Sequence, residues 1–170
     1  MAHVLVTGMS GVGKSTALGG LADRDVEVVE TDDGDWCVVA PVPGAPRGTV
    51  DRVWREDRMT ALLDDRAGRP LVVAGTVPNQ GRFHDRFDAV VLLSAPLDVM
   101  LDRVARRVTN PFGRTEAERA RIVADTRVVV PLLRAACTHE IDTSVTPPDA
   151  VVDRLVQLAL RPGALSPFRR

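Results

Sequence analysis

The sequence predicts an α/β protein of one domain, with a parallel sheet covered by helices on both faces. Three observations predict it. Short, nearly unbroken Val/Leu runs recur along the chain, as in strands buried on both sides. Segments with apolar residues at helical spacing separate these runs, so successive strands run parallel through right-handed crossovers. The first run also leads directly through a glycine-rich turn into a helical pattern.

The first strand is His3-Val4-Leu5-Val6-Thr7, and the helix after the turn is Thr16 to Ala22, weakened by Gly19 and Gly20. Val26 to Glu30 reads as the second strand. Residues 32–50, rich in Asp, Pro and Gly, read as a loop. Residues 51–67 place Val53, Trp54, Met59, Leu62 and Leu63 at helical spacing. Leu71 to Gly75 is the third strand and Ala89 to Leu93 the fourth. Residues 97–107 form a helix with Leu97, Met100, Leu101 and Val104 on one face and Arg103, Arg106 and Arg107 near its end. A breaker-rich loop, Val108 to Thr115, precedes a long helical pattern to Ala136, in which Pro131 predicts a kink or interruption. Glu140-Ile141-Asp142 is a weaker fifth strand, and a last helix runs from about Pro148 to Leu160.

The turn carries the chemistry. Gly8-Met9-Ser10-Gly11-Val12-Gly13-Lys14-Ser15 fits G-x-x-x-x-G-K-[ST] at every fixed position. Glycines 8, 11 and 13 let successive N–H groups point inward around a polyphosphate. Lys14 is the only lysine in the chain, a compact, mobile charge for the β- and γ-phosphates. Ser15 offers a hydroxyl to Mg²⁺, which keeps most of its waters and needs few protein ligands. The expected nucleotide contacts are Gly8, Ser10, Gly11, Val12, Gly13, Lys14, Ser15 and Thr16.

Bulk properties narrow the function. The net charge is −1, there is no Tyr and aromatics are scarce, so neither nucleic acid nor an anionic membrane is an expected partner. No apolar run is long enough to span a bilayer. Cys37 and Cys137, far apart in a chain whose first strand starts at its N-terminus, read as reduced thiols of a cytoplasmic protein. The three His show no metal-ligand spacing. A monomer or homodimer is expected.

The order of features resembles the shikimate kinase branch of the P-loop kinases, a group close to gluconate and nucleoside monophosphate kinases, over nearly the whole chain. Glu30-Thr31-Asp32 matches that family's D-x-D-like motif and Trp54-Arg55 its F-R motif. Gly75-Thr76 matches its glycine turn, Arg107 and Arg114 its lid arginines, and Pro131-Leu132-Leu133 through Asp142-Thr143 and Pro148 its closing stretch. The resemblance implies a single-domain P-loop NTPase. Its fold would be a three-layer α/β/α sandwich, with five parallel strands in the order 2-3-1-4-5 and a mobile lid. The domain would cover residues 1–162, with substrate binding at about 32–67, a lid at about 107–118 and a flexible tail at 163–170. It also implies ATP and Mg²⁺, with Arg107 and Pro148 sandwiching the adenine. The family's carboxylate-gripping arginine is replaced by Val129, and its Gly-Gly-Gly turn is reduced to Gly75-Thr76-Val77. The implied reaction is therefore transfer of the γ-phosphoryl of ATP to a small acceptor other than shikimate.

Several candidates keep two readings. Asp32 follows a buried strand at the end where open α/β sheets bind ligands. There it is expected to orient or deprotonate the acceptor hydroxyl or to help hold Mg²⁺, and otherwise it is a solvated turn acid beside Asp33 and Asp35. Arg55 and Arg58, one helical turn apart, grip an acidic or phosphorylated acceptor or belong to a salt-bridged surface. Trp36 and Trp54 wall a pocket, or Trp54 supplies a helix's apolar face. Arg114 closes on the γ-phosphate from the lid or is an exposed loop arginine. Asn79 to Arg82 reads acceptor hydroxyls or is a polar loop. A nucleoside or nucleotide kinase and a non-kinase ATP-binding regulator are the competing functions. A GTPase switch is disfavoured because its N-K-x-D motif needs a second lysine. A motor ATPase is disfavoured because the third strand ends in Ala74-Gly75-Thr76 without an acid.

Overall fold

The computed structural model describes residues 2–65, 69–108 and 112–160. The expected tail and the centre of the expected lid, residues 109–111, lie outside them.

Strands β1 (His3–Thr7), β2 (Glu27–Glu30), β5 (Leu71–Ala74), β6 (Ala89–Ser94) and β7 (His139–Asp142) form one parallel sheet in the order β2-β5-β1-β6-β7. Counted within the sheet this is second, third, first, fourth, fifth. The chain-wide numbers differ from the expected ones because two further strands stand between β2 and β5.

Strand alternation builds the layers, since successive side chains point to opposite faces. Val4, Val6, Val72, Ala74, Val91 and Leu93 face one way, under α1 (Lys14–Gly19) and α5 (Pro148–Leu160) and against Met100 of α3 (Leu97–Arg106). Leu5, Leu71, Val73 and Val90 face the other way, against α2 (Glu56–Asp64) and a 3-10 helix, Gln80–Arg86, that brings in Phe83. The result is a three-layer α/β/α sandwich. α4 (Glu116–Ala136) packs on α3 and β6. It starts at a reciprocal cap. Thr115 Oγ1 accepts from Glu118 N–H, and Glu118 Oε2 accepts from Thr115 N–H. The expected interruption is not found, as α4 runs through Pro131 as one element.

The region from 32 to 67 departs most from expectation. Its loop contains β3 (Cys37–Pro41), and β4 (Val50–Trp54) occupies the start of the expected helix. The two strands pair antiparallel, with Cys37 opposite Trp54 and Pro41 opposite Val50. The helix begins only at Glu56. The reason is a long-range contact: the Asn79 side chain accepts from Trp54 N–H (2.9 Å) and donates to Trp54 C=O (3.0 Å). The amide thus takes the place of a neighbouring strand at the end of β4, and satisfies backbone groups that burial would leave costly. The first helix is also shorter than expected, ending at Gly19 where two glycines meet.

Candidate active site

The loop between β1 and α1 bends through positive φ at Gly11 (+88°) and packs against the start of α3. A Cβ on Gly11 would lie 2.6 Å from the carbonyl oxygen of Met100. The loop is then pinned from several sides. Thr76 Oγ1 donates to Gly8 C=O (2.8 Å) and accepts from Gly8 N–H (3.0 Å). Thr143 Oγ1 donates to Val12 C=O (2.8 Å). Arg103 bridges the two sides, donating to Gly11 C=O (3.4 Å), Thr143 Oγ1 (2.9 Å) and Thr143 C=O (2.8 Å).

Lys14 is half-buried and folds back over the loop, donating from Nζ to the carbonyls of Gly8 (2.6 Å) and Met9 (3.4 Å). Burial pushes its ammonium below the usual lysine range. Asp32 and Glu30 oppose that shift and Arg107 adds to it. An ammonium held only by carbonyls, with acids nearby, is primed for an anion. Beside it, Ser15 Oγ donates to Glu30 Oε1 (2.9 Å).

These groups face one cavity of about 820 Å³, lined by residues 9–17 of the loop and helix, by Glu30, Asp32 and Asp33, and by Arg103, Arg107, Thr143, Thr146, Pro148 and Val151. Of the expected nucleotide residues, Ser10 through Thr16, Arg107 and Pro148 line it, while Gly8 lies just behind. Arg107 donates from Nη2 to Phe112 C=O (2.8 Å). Its Nε is buried without a hydrogen-bond partner, and burial lowers its pKa.

The expected acceptor residues divide. Asp32 is on the cavity wall. Trp54 does not line the nucleotide cavity; it is 1 % exposed, donates from Nε1 to Thr31 Oγ1 (2.8 Å), meets Phe83 edge-on at 5.8 Å, and borders a separate cavity against the hairpin. Gly75 packs so close to Thr31 that a Cβ would collide with its hydroxyl. Thr76 is committed to Gly8 and also meets Thr7 Oγ1 at 3.1 Å. All three are thus packed or hydrogen-bonded into the frame around the loop and β2. Asn79 and Gln80 are buried too, Asn79 on Trp54 and Gln80 accepting from Thr7 Oγ1 (3.1 Å). Arg55 and Arg58 are drawn together, but by a third residue. Arg55 Nη1 donates to both Asp35 oxygens (2.9 and 2.7 Å), and Arg58 lies 3.4 Å from Asp35 Oδ2 and 4.5 Å above the Trp36 ring. Arg114 is exposed ahead of α4, where its carbonyl accepts from Arg119 (2.6 Å).

Sequence reasoning did not place Arg103 or Thr146 on the cavity wall and did not foresee the Ser15–Glu30 hydrogen bond. The spacing of Arg103 and Arg107, one helical turn apart on a helix that meets the loop, was a signal for the first. Among the described residues, no group of three or more His, Cys, Asp or Glu could hold a metal. No described helix is long and apolar enough to cross a membrane.

The family model for the AAA domain matches residues 4–124. No curated protein matches. Among solved structures, the shikimate kinase of Acinetobacter baumannii in complex with shikimate is similar at 20 % identity and a TM-score of 0.56, over 93 % of this chain and 90 % of that one. An unliganded sugar kinase from a Janibacter species is similar at 20 % identity and 0.57, over 93 % and 94 %. The shikimate kinase of Bacteroides thetaiotaomicron is similar at 14 % identity and 0.58, over 92 % and 97 %. These likenesses establish a shared fold.

Proposed function

The chain belongs to the AAA-domain family, and from that premise we propose that it is a phosphotransferase moving the γ-phosphoryl of ATP to a hydroxyl of a small molecule other than shikimate. One observation carries the reading. The pinned glycine loop, Lys14, the Ser15–Glu30 pair and the Asp32 carboxylate all open onto a single cavity. A polyphosphate fits the loop. Lys14 can leave its carbonyl partners for the β- and γ-phosphate oxygens, and Arg107 faces the same space. Pro148 and Arg107, both on the cavity wall, suit the two faces of a purine. The donor set of Ser15 with Glu30 and Asp32 fits Mg²⁺, a hard cation satisfied by one or two carboxylates plus phosphate and water. When bound, Mg²⁺ would neutralise charge on the phosphates.

Transfer then needs little covalent help from the protein. Asp32 accepts the proton of the acceptor hydroxyl as its oxygen bonds to the γ-phosphorus. The bond from that phosphorus to the β–γ bridging oxygen breaks, and ADP leaves. Lys14 stabilises the charge that moves to the bridging oxygen. Arg114 closes over the γ-phosphate.

Coupled ADP release tests this against a panel of hydroxylated metabolites with Mg²⁺ present. Acceptor-dependent turnover is expected. ADP release that is slow and indifferent to every acceptor would favour a regulator that binds nucleotide without transferring it. No affinity for a purine triphosphate would remove both readings.

A further inference from the structure

The hairpin β3–β4 leaves one guanidinium beside Asp32 that no carboxylate has claimed. Its neighbours are taken: Arg55 and Arg58 by Asp35, Arg82 by Glu56 and Arg86 by Asp64. Arg52 of β4 has no ion-pair partner among the described residues. Asp51 accepts from the Arg52 backbone N–H (2.7 Å), not from the guanidinium. The guanidinium instead crosses to the end of β2, where Nη2 donates to the Asp32 carbonyl oxygen (3.1 Å). It is also close enough to Cys37 to oppose the burial that pushes that thiol's pKa up. A carbonyl takes one of five donors and neutralises none of the charge. An exposed planar fork of this kind suits a carboxylate or phosphate. It stands against the main chain of the residue whose carboxylate meets the acceptor hydroxyl.

We propose that Arg52 holds an anionic group of the acceptor, which is therefore a hydroxylated small molecule bearing a carboxylate or phosphate. The inference rests on the phosphotransferase reading above. It assigns the anion to Arg52 rather than to Arg55 and Arg58 because Asp35 already engages those two, Arg55 through both carboxylate oxygens and Arg58 at 3.4 Å, whereas no carboxylate among the described residues engages Arg52. The hairpin, absent from the expected architecture, is the element that delivers this cation.

The test is equilibrium binding with ADP and Mg²⁺ present, so that no turnover is needed. The probes are sugar acids, sugar phosphates and the neutral sugars of the same skeletons. In the wild type, acids or phosphates bind more tightly than their neutral counterparts, and which of the two binds identifies the anionic group. Arg52→Gln weakens that binding about tenfold or more, leaves neutral sugars and ADP unchanged, and keeps the thermal midpoint. Arg52→Lys retains part of the preference. Unchanged oxyanion binding in Arg52→Gln, or no preference for charged probes in the wild type, overturns the proposal. Arg52-dependent binding in a protein that phosphorylates nothing would keep Arg52 as an oxyanion site while removing the phosphotransferase reading.

Discussion

The two ends of the proposed site are held by different kinds of bond. At the nucleotide end, side chains grip the main chain: Thr76 on Gly8, Lys14 on Gly8 and Met9, Arg103 on Gly11, Thr143 on Val12. At the proposed acceptor end, on the hairpin and α2 beyond the cavity lining, exposed charges grip each other, with Arg55 and Arg58 on Asp35 and Arg82 on Glu56. Pairs of the second kind are screened by water, contribute little to stability and can be exchanged with little cost to the fold. A backbone cradle cannot be exchanged in that way.

The largest effect should come from removing the ammonium at the nucleotide end. Lys14→Ala is expected to lower transfer by about a thousandfold or more, with circular dichroism and thermal midpoint retained. Near-wild-type ADP release in this variant would break the comparison at its stronger end. Asp32→Asn comes next. It sits where the two ends meet, and should cost about a hundredfold or more in kcat while ATP affinity stays close to wild type. Equal losses in both would remove Asp32 from the acceptor chemistry.

Legibility followed the same divide. The loop could be read because its constraints are local: glycines at fixed spacing after a buried strand, then the one lysine. The parallel sheet could be read because strands buried on both faces leave nearly unbroken Val/Leu runs. The hairpin could not. Val53 and Trp54 fit helical spacing with Met59 and Leu63, and it is the pairing with β3 together with Asn79, 25 residues away, that decides in favour of β4. Trp54, Gly75 and Thr76 carry motif positions, but Thr31, Phe83 and Gly8 absorb them into the frame. Asp35 looked like one acid among several, and its capture of both arginines depends on where α2 starts.

Asn79→Ala sharpens the comparison through stability rather than chemistry. It leaves the Trp54 N–H and C=O buried without partners, at a cost of about 1–3 kcal/mol for an unsatisfied group. Thermal unfolding should fall accordingly, and acceptor binding should weaken as the hairpin loosens, with nucleotide affinity nearly unchanged. An equal loss at both ends would mean that the hairpin and the loop form one cooperative unit.

The smallest effect is a fraction of a proton. Burial lowers the pKa of Lys14 from its usual 10.5, against the opposing pull of Asp32 and Glu30. A polyphosphate against the ammonium favours its charged form and raises that pKa again. Between the lowered value of the free protein and the raised value of the complex, free Lys14 is neutral and bound Lys14 is charged. Nucleotide binding in that window takes up a proton, at most about one, and affinity falls as pH rises through it. Below the window Lys14 is charged in both states and binding is independent of pH at this group. Calorimetry of ADP binding in buffers of different ionisation enthalpy should show uptake that grows on the alkaline side. Proton release there, or a heat independent of the buffer, would mean that the ammonium does not meet the phosphates. The firmer end of the cavity would then be backbone alone.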